Sequence, residues 1–354
     1  MIKRALLWAS AAALSAGLAL AAAGDASRDV LDTPAMKSPL AQRTLLNGLA
    51  LAGERIVAVG QRGHVLFSDD GGRTWKQAEV PLSSDLVAVS FPGPKSGWAV
   101  GHDGVVLRST DAGATWNRQL DGRKAGEAMV EYYTREAKAG DARQAAALAE
   151  AKKFAAQGAE NPFLDVWFED ESHGIAVGAF GLAMRTRDGG ATWEPLLHLV
   201  DNPKALHLYA VRGVGGEVYI AGEQGLVLKL DRAGGEFRPL ELPYKGTLFG
   251  VTGNARAVLV HGLRGTVLSS ADGGSTWHKV ETGLQVGLTG SSVDADGRII
   301  VVSQSGHVLV STDDGASFRA AKVERPLPAA AVVAAERSTV VVAGPRGVQA
   351  QALQ

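Results

Sequence analysis

The carboxylates best placed to do chemistry lie in five copies of one pattern, Ser/Thr-x-Asp-x-Gly-x-Thr/Ser-Trp/Phe. The copies are Ser68–Trp75, Ser109–Trp116, Thr186–Trp193, Ser270–Trp277 and Ser311–Phe318, and a worn sixth runs from Asp231 to Phe237. Their acids are Asp70, Asp111, Asp188, Asp272 and Asp313, and the rings that close them are Trp75, Trp116, Trp193, Trp277 and Phe318. Repeated acids invite a metal or an acid catalyst, but the local chemistry points elsewhere. An Asp at this spacing accepts hydrogen bonds from amide N–H groups of its own turn, and the glycine supplies positive φ at little cost. The closing ring then drops between neighbouring sheets. These acids are expected to be structural, with no catalytic residue, no metal and no cofactor.

The other constellations are thin. Asp294-Ala-Asp296-Gly297 begins like a calcium loop, yet the remaining ligands and a closing Glu are absent, so a hairpin turn is expected. The eight His show no metal-ligand spacing. His102-Asp103 could serve as an acid/base pair only if neighbours on a turn faced one another. Neither a nucleophile elbow nor a phosphate-cradling motif occurs. With Cys 0, there is no thiolate nucleophile and no disulfide.

What positions these boxes is a repeat. Gly-x-x-Gly turns start at Gly60, Gly101, Gly178, Gly222, Gly262 and Gly344, with Ser303 replacing the first Gly of one copy. The step is about 41 residues, and the single long step, Gly101 to Gly178, leaves about 36 residues for an insertion. Apolar strands precede the turns at Leu86–Phe91, Phe163–Phe168, Leu206–Arg212, Thr247–Thr252 and Ala329–Ala334. Seven such units of four short strands predict an all-β, seven-bladed β-propeller over residues 24–354. Single-sheet blades cannot bury both faces alone, and a closed ring does it for them. The seventh unit ends after its third strand, Gly347–Leu353, so part of Asp29–Leu40 is expected to supply the fourth and latch the ring. The insertion, residues 120–161, is rich in Ala, Glu and Lys and predicts a helical hairpin, Ala125–Ala139 then Ala142–Gln157, with Asp141 as N-cap and Gly158 as stop.

Residues 1–23 carry Lys3 and Arg4, an apolar run and Ala21-Ala22-Ala23, the pattern of a secretory signal peptide. No Cys follows to carry a lipid, and no later stretch approaches the roughly 18 apolar residues of a span. A periplasmic, soluble, monomeric protein without direct membrane insertion is expected. Lys+Arg 36 against Asp+Glu 37 leaves no global basic field, which argues against nucleic acid.

In a propeller, the turns between second and third strands share a rim with the blade-to-blade connections, and the boxes lie on the opposite rim. The expected contact pairs are therefore Gln61-Arg62, His102-Asp103, Ala179-Phe180, Glu223-Gln224, Leu263-Arg264, Gln304-Ser305 and Pro345-Arg346. From them Arg62, His102, Asp103, Phe180, Glu223, Gln224, Arg264 and Arg346 are the partner-binding candidates. Ring closure gathers Arg62, Arg264 and Arg346 on one sector, with Asp103 and Glu223 across from it. Such a polarised face can orient an acidic peptide segment.

Units such as Gly97-Trp-Ala-Val-Gly…Ser-Thr-Asp-Ala-Gly-Ala-Thr-Trp116 and Gly174-Ile-Ala-Val-Gly…Thr-Arg-Asp-Gly-Gly-Ala-Thr-Trp193 resemble the bacterial neuraminidase repeats. Within that superfamily the chain is most similar, over nearly all of residues 44–350, to the photosystem II assembly/stability factor family. The resemblance implies an exported, non-enzymatic propeller that binds a newly made membrane subunit through an arginine-rich surface and assists assembly of a membrane complex. The helical insertion and the bacterial-type leader depart from the chloroplast and cyanobacterial pattern, and in a non-photosynthetic bacterium the implied partner becomes another envelope complex, such as a transporter. Two alternatives share the architecture: a sialidase-like glycoside hydrolase and a general peptide-binding propeller of the sortilin kind. The hydrolase would need an arginine triad and an N-terminal Phe/Tyr-Arg-Ile/Leu-Pro motif. The chain offers only Phe237-Arg238-Pro239-Leu240, in another order and place.

Overall fold

The computed structural model describes residues 29–136 and 140–354, so the signal-peptide segment 1–23 lies outside the described residues. Seven antiparallel sheets follow one another along the chain, each a meander whose sequence neighbours pair. Blade 1 consists of Leu46–Ala52, Arg55–Gly60, Val65–Ser68 and Lys76–Gln77. The innermost strands of blades 2 to 7 are Leu86–Ser90, Phe163–Phe168, Leu208–Val214, Leu248–Gly253, Leu288–Val293 and Ala331–Glu336. These strands touch in ring order and the last also meets the first, which closes a seven-bladed β-propeller around a central channel.

Burial explains the strand compositions. A second strand is covered on both faces by neighbouring blades, so it reads as a continuous apolar run: Ile56, Val57, Ala58 and Val59 are all buried. Each box ring enters the seam with the preceding blade. Trp75 joins Ile56 of its own blade to Val333 and Val341 of blade 7. Trp116 stands edge-on to Phe91, 6.0 Å between centroids, and Trp277 packs with Val214 and Tyr219 of blade 4. Rings of this size contribute about 1.5–3 kcal/mol each when buried.

Inside the box Ser109–Trp116, the Ser109 hydroxyl donates to Asp111 Oδ1 (2.8 Å) and accepts from the Gly113 amide (2.8 Å). Thr115 donates its amide and hydroxyl to the two Asp111 oxygens at 2.9 and 2.7 Å. Trp116 Nε1 donates to the Gly113 carbonyl at 3.0 Å. The amide-and-hydroxyl grip recurs at Asp70, Asp188, Asp272 and Asp313. The carboxylates are consumed by their own turns.

The ring closes differently from expectation. Blade 7 has three strands, ending in Gly347–Ala352, and residues 29–40 add none to it. They lie instead on the outer strand of blade 1 and its connection to blade 2. Lys37 Nζ donates to the Gln77 and Ala78 carbonyls (2.8 and 3.0 Å), and the Ala35 amide to the Val80 carbonyl (3.0 Å). Leu31 is buried among blades 1 and 2, with Arg118 Nη1 on its carbonyl at 2.8 Å. Pro34 and Pro39 withhold the amides that a ladder strand would need. Closure comes from apolar packing, through Leu46 and Ile56 against Val333, Val341, Ala343 and Val348.

The insertion forms helix α1, Gly122–Glu136, and helix α2, Ala142–Gln157. Helix α1 begins three residues earlier than expected, because Asp121 caps it: its carboxylate accepts from the Lys124 amide at 3.2 Å and its carbonyl from Ala125 at 2.8 Å. Residues 137–139, where α1 was expected to end, lie outside the described residues. Asp141 caps α2 through the Arg143 and Gln144 amides, and Gly158 stops it with φ 69°. Met129, Tyr133, Ala151 and Phe154 join the core shared by blades 2 and 3, which roots the hairpin in the ring.

The box hydrogen bonds make an acid-sensitivity testable. The Ser317 hydroxyl and amide, with the Ser311 hydroxyl, pull Asp313 from 3.8 down to about 2. Asp70 and Asp272 are likewise held well below the usual range, chiefly by Thr74 and Thr276. A folded-state pKa below the unfolded value contributes stability that is complete above about pH 4 and lost as pH falls towards 2. Thermal melts should therefore show Tm falling through that window. A Ser317→Ala variant should melt lower at neutral pH and lose less on acidification, whereas parallel curves would show that the grip on Asp313 contributes nothing to the acid response.

Candidate functional site

Five of the rim turns place a non-glycine residue in the left-handed region: Arg62 (φ 54°), Asp103 (57°), Phe180 (54°), Gln224 (54°) and Arg264 (55°). Such a residue costs about 1–2 kcal/mol of backbone strain, so its surroundings must hold it. In blade 1 the Gly60 amide donates to the His64 carbonyl (2.9 Å) and His64 returns to Gln61 (3.0 Å). The next blade completes two of the turns: Asp85 Oδ1 accepts from the Arg62 amide at 2.7 Å, and His207 Nδ1 from the Phe180 amide at 2.9 Å. The side chain is thereby thrown outward, and Arg62, Phe180, Gln224 and Arg264 are exposed.

Blades 6 and 7 build the turn otherwise. The buried Ser303 hydroxyl accepts from the Ser305 and His307 amides (3.3 and 3.0 Å), and positive φ falls on Gly306. In blade 7 Gly344 pairs with Gly347, and the exposed Pro345-Arg346 caps a two-residue hairpin.

All eight candidates lie on the rim that carries the blade-to-blade connections, but their chemical states differ. Among the described residues none of Arg62, Arg264 and Arg346 makes an ion pair, so three guanidinium groups face solvent uncompensated. Glu223 is committed, its Oε2 accepting from the His207 amide at 2.9 Å, and Gln224 Oε1 accepts from Lys204 Nζ at 3.3 Å. His102 and Asp103 make no hydrogen bond to each other, and His102 gives its amide to the Asp85 carbonyl (2.8 Å). Asp294 spends its carboxylate on the Asp296 and Arg298 amides and on Arg298 Nε (2.6 Å), which is a hairpin turn.

Two features escaped the sequence. Arg43 is exposed at the end of the short 3-10 helix Ala41–Arg43, beside Gly347 at the junction of blades 7 and 1, and so falls within the arginine sector. The second is the channel, a cavity of about 580 Å³ walled by the innermost strands. On its wall the buried Asp165 accepts from the Val211 amide (2.8 Å) and from Arg212 Nη1, which also donates to the Val211 carbonyl (2.6 Å). His261 donates Nδ1–H to the Leu288 carbonyl (3.1 Å) and accepts from the Ser291 hydroxyl at Nε2 (2.9 Å). Complete burial, with Arg212 adding to it, brings its pKa down to about 4, so it is neutral.

With the geometry in place, comparison decides the family. A family model described as photosynthesis system II assembly factor YCF48 matches residues 52–139 and 144–281. The chain belongs to the YCF48 family. A photosystem II assembly lipoprotein Ycf48 of Synechococcus sp. (strain CC9902) is 29% identical over 159 residues, which span 44% of this chain and 47% of that protein. The solved structure of YCF48 bound to D1 peptide superimposes with a TM-score of 0.63 at 16% identity, covering 90% of this chain and 96% of the other. A GH74 enzyme of Niastella koreensis superimposes with a TM-score of 0.60 at 13% identity, over 87% of this chain and 52% of the enzyme. At such identities the two superpositions establish the fold alone.

In this YCF48-family chain Asp165 occupies a position where the other six blades have Gly48, Ala88, Ala210, Gly250, Gly290 and Ala331. Asp165→Ala would thus fit sterically, yet it strands a half-buried guanidinium and a buried amide. A loss of about 2–3 kcal/mol is expected in urea unfolding, and adding Arg212→Ala should recover part of it. Equal stability of Asp165→Ala and the parent would refute the cross-blade tie.

Proposed function

We propose that this chain is an exported, non-catalytic propeller that captures an exposed segment of a membrane protein and assists the assembly or stability of a membrane complex. The observation that carries this is the sector of exposed arginines, Arg346, Arg43, Arg62 and Arg264, on one arc of the rim, the three turn arginines lacking any partner of their own. Guanidinium groups left unpaired on a protein of net charge -1 fit a local acidic ligand better than a polyanion. Family membership points the same way, since the family is described as assembly factors and a related propeller was solved with a D1 peptide.

His102, Asp103, Phe180, Glu223 and Gln224 complete the contact surface on the opposite arc. The leader at residues 1–23 would deliver the protein to the periplasm, in keeping with a lipoprotein relative. No helix among the described residues is long and apolar enough to cross a membrane. In a photosynthetic cell the partner would be a photosystem II subunit, and in another bacterium a subunit of a different envelope complex.

The test is capture from detergent-solubilised membranes by tagged protein, with Arg62, Arg264 and Arg346 all replaced by Glu. The parent should retain a membrane protein that the triple variant loses at least about tenfold at low salt, with circular dichroism unchanged. Undiminished capture by a folded triple variant would remove the arginine sector from the mechanism.

A further inference from the structure

Six of the seven blades insert one extra residue near the start of the innermost strand. The pairing skips between Leu46 and Gly48, Leu86 and Ala88, Leu208 and Ala210, Leu248 and Gly250, and Leu288 and Gly290. In blade 3 it skips between Phe163 and Asp165, and in blade 7 the same place is Ala330, whose amide reaches the Ala343 carbonyl. A bulge re-aims its side chain. Here the six bulged residues, Asn47, Val87, Leu164, Tyr209, Phe249 and Thr289, line the channel cavity together with Ala330 at the equivalent place in blade 7. The channel mouth is therefore a ring of one side chain per blade, and the ring is uneven.

Its polar members turn sideways into the next blade: Asn47 Nδ2 donates to the Leu86 carbonyl (2.9 Å) and the Thr289 hydroxyl to the Ala329 carbonyl (2.6 Å). Val87, Leu164, Tyr209 and Phe249 make no such tie, and the Tyr209 hydroxyl has no hydrogen-bond partner among the described residues. Tyr209 and Phe249 stand edge to face, 5.6 Å between centroids, and both remain partly exposed. The aromatic row continues outward through His207 to Phe180, which is 52% exposed. The ring residues of blades 2 to 5 are thus apolar or aromatic, beside the Asp165–Arg212 pair on the same wall, while those of blades 6, 7 and 1 are small or polar. The unpaired rim arginines of blades 5, 7 and 1 flank this mouth.

We infer that the channel mouth is a subsite for one apolar or aromatic side chain of the acidic peptide segment held by the rim, with Tyr209 and Phe249 as the residues that read it. This rests on the arginine docking described above and adds a sequence preference to it. A cavity of about 580 Å³ admits such a side chain with space for water. Charge complementarity selects the rest of the ligand: the uncompensated arginines take carboxylates, and the wall between them takes the apolar group.

The experiment uses two fluorescein-labelled peptides, an acidic nonapeptide with a central Phe and its twin with Ala there, titrated by anisotropy against the full mature chain. The parent should bind the Phe peptide about tenfold more tightly than the Ala twin. Tyr209→Ala with Phe249→Ala should abolish that preference and leave the Ala twin's affinity unchanged. Ala330→Trp, which fills the mouth from the opposite wall and removes no hydrogen bond, should do the same and covers the case of a double variant that fails to fold. Equal binding of both peptides by the parent would overturn the subsite while leaving the arginine docking standing. Binding of neither peptide would overturn both. If Arg62, Arg264 and Arg346→Glu lowers the affinity of both peptides alike and keeps their ratio, docking and subsite are separately supported.

Discussion

The ring depends on one backbone contact made twice in most of the rim turns. A Cβ at Gly60 would run into the Leu45 carbonyl oxygen, just ahead of the blade's own innermost strand, and one at Gly63 into the Leu82 carbonyl, in the connection to the next blade. In blades 1, 2, 4 and 5 both glycines of the turn are therefore points of backbone touching backbone, where a Cβ would collide. The two residues between them carry the side chains that project from the turn. Blade 7 uses the same device for closure. Its second glycine, Gly347, lies against the Gln42 carbonyl and the backbone of Arg43, so residues ahead of blade 1 stand in for a blade-to-blade connection. The ring is shut by a linker-like contact and an apolar seam, with no strand exchanged.

This contact also explains what could be read from the sequence and what could not. Signals that repeat locally were legible: the boxes, the paired glycines, the period, and the abrupt shift to Ala-rich sequence at the hairpin. The boxes report hydrogen bonds within a few residues of themselves, and the glycines stand out because their spacing repeats. The expected fourth strand of blade 7 was inferred from the need to cover an edge, but Lys37 and Ala35 had better partners on blade 1, and the prolines spoiled the ladder. Arg43 went unseen for the same reason. Asp165 with Arg212 went unseen because the pair joins two blades, and the bulges because each lies in the pairing of a blade's first two strands. A register shift of one residue leaves no mark on composition. The clue that was present is that the residue after Leu46, Leu86, Phe163, Leu208, Leu248 and Leu288 has no common type, being Asn, Val, Leu, Tyr, Phe and Thr in turn.

The two rims differ in how their side chains are committed. On one, every box acid is saturated by its own turn, so it presents no free carboxylate chemistry and its titration is coupled to folding. On the other, left-handed residues are held by the next blade's Asp85 or His207, and their side chains project with few partners. Strain of this kind persists where the scaffold over-determines it, and a rigid scaffold then presents the side chain in a fixed direction. A ligand meeting this face would meet preset groups and would itself bear most of the ordering cost.

The helical hairpin belongs to this second rim but is not an accessory laid upon it. Tyr133 is buried with Met129 and Phe154 in the core of blades 2 and 3, and its hydroxyl bonds His198 Nδ1 at 2.9 Å. Helix α2 reaches further, with Arg143 pairing Glu236 on the outer strand of blade 4 at 3.1 Å. The insertion therefore braces three consecutive blades, 2 to 4, two of which carry the acidic turn residues Asp103 and Glu223. Opposite it, blades 5, 7 and 1 carry the arginines on short turns with no added structure. The stiffened arc and the cationic arc face one another across the mouth, and the wall between them at blades 4 and 5 is aromatic. On the docking proposed above, a segment drawn to the arginines would lie beside that wall with the braced arc limiting how far it could spread, and the insertion would then act on selectivity through shape while the charges stay elsewhere on the ring.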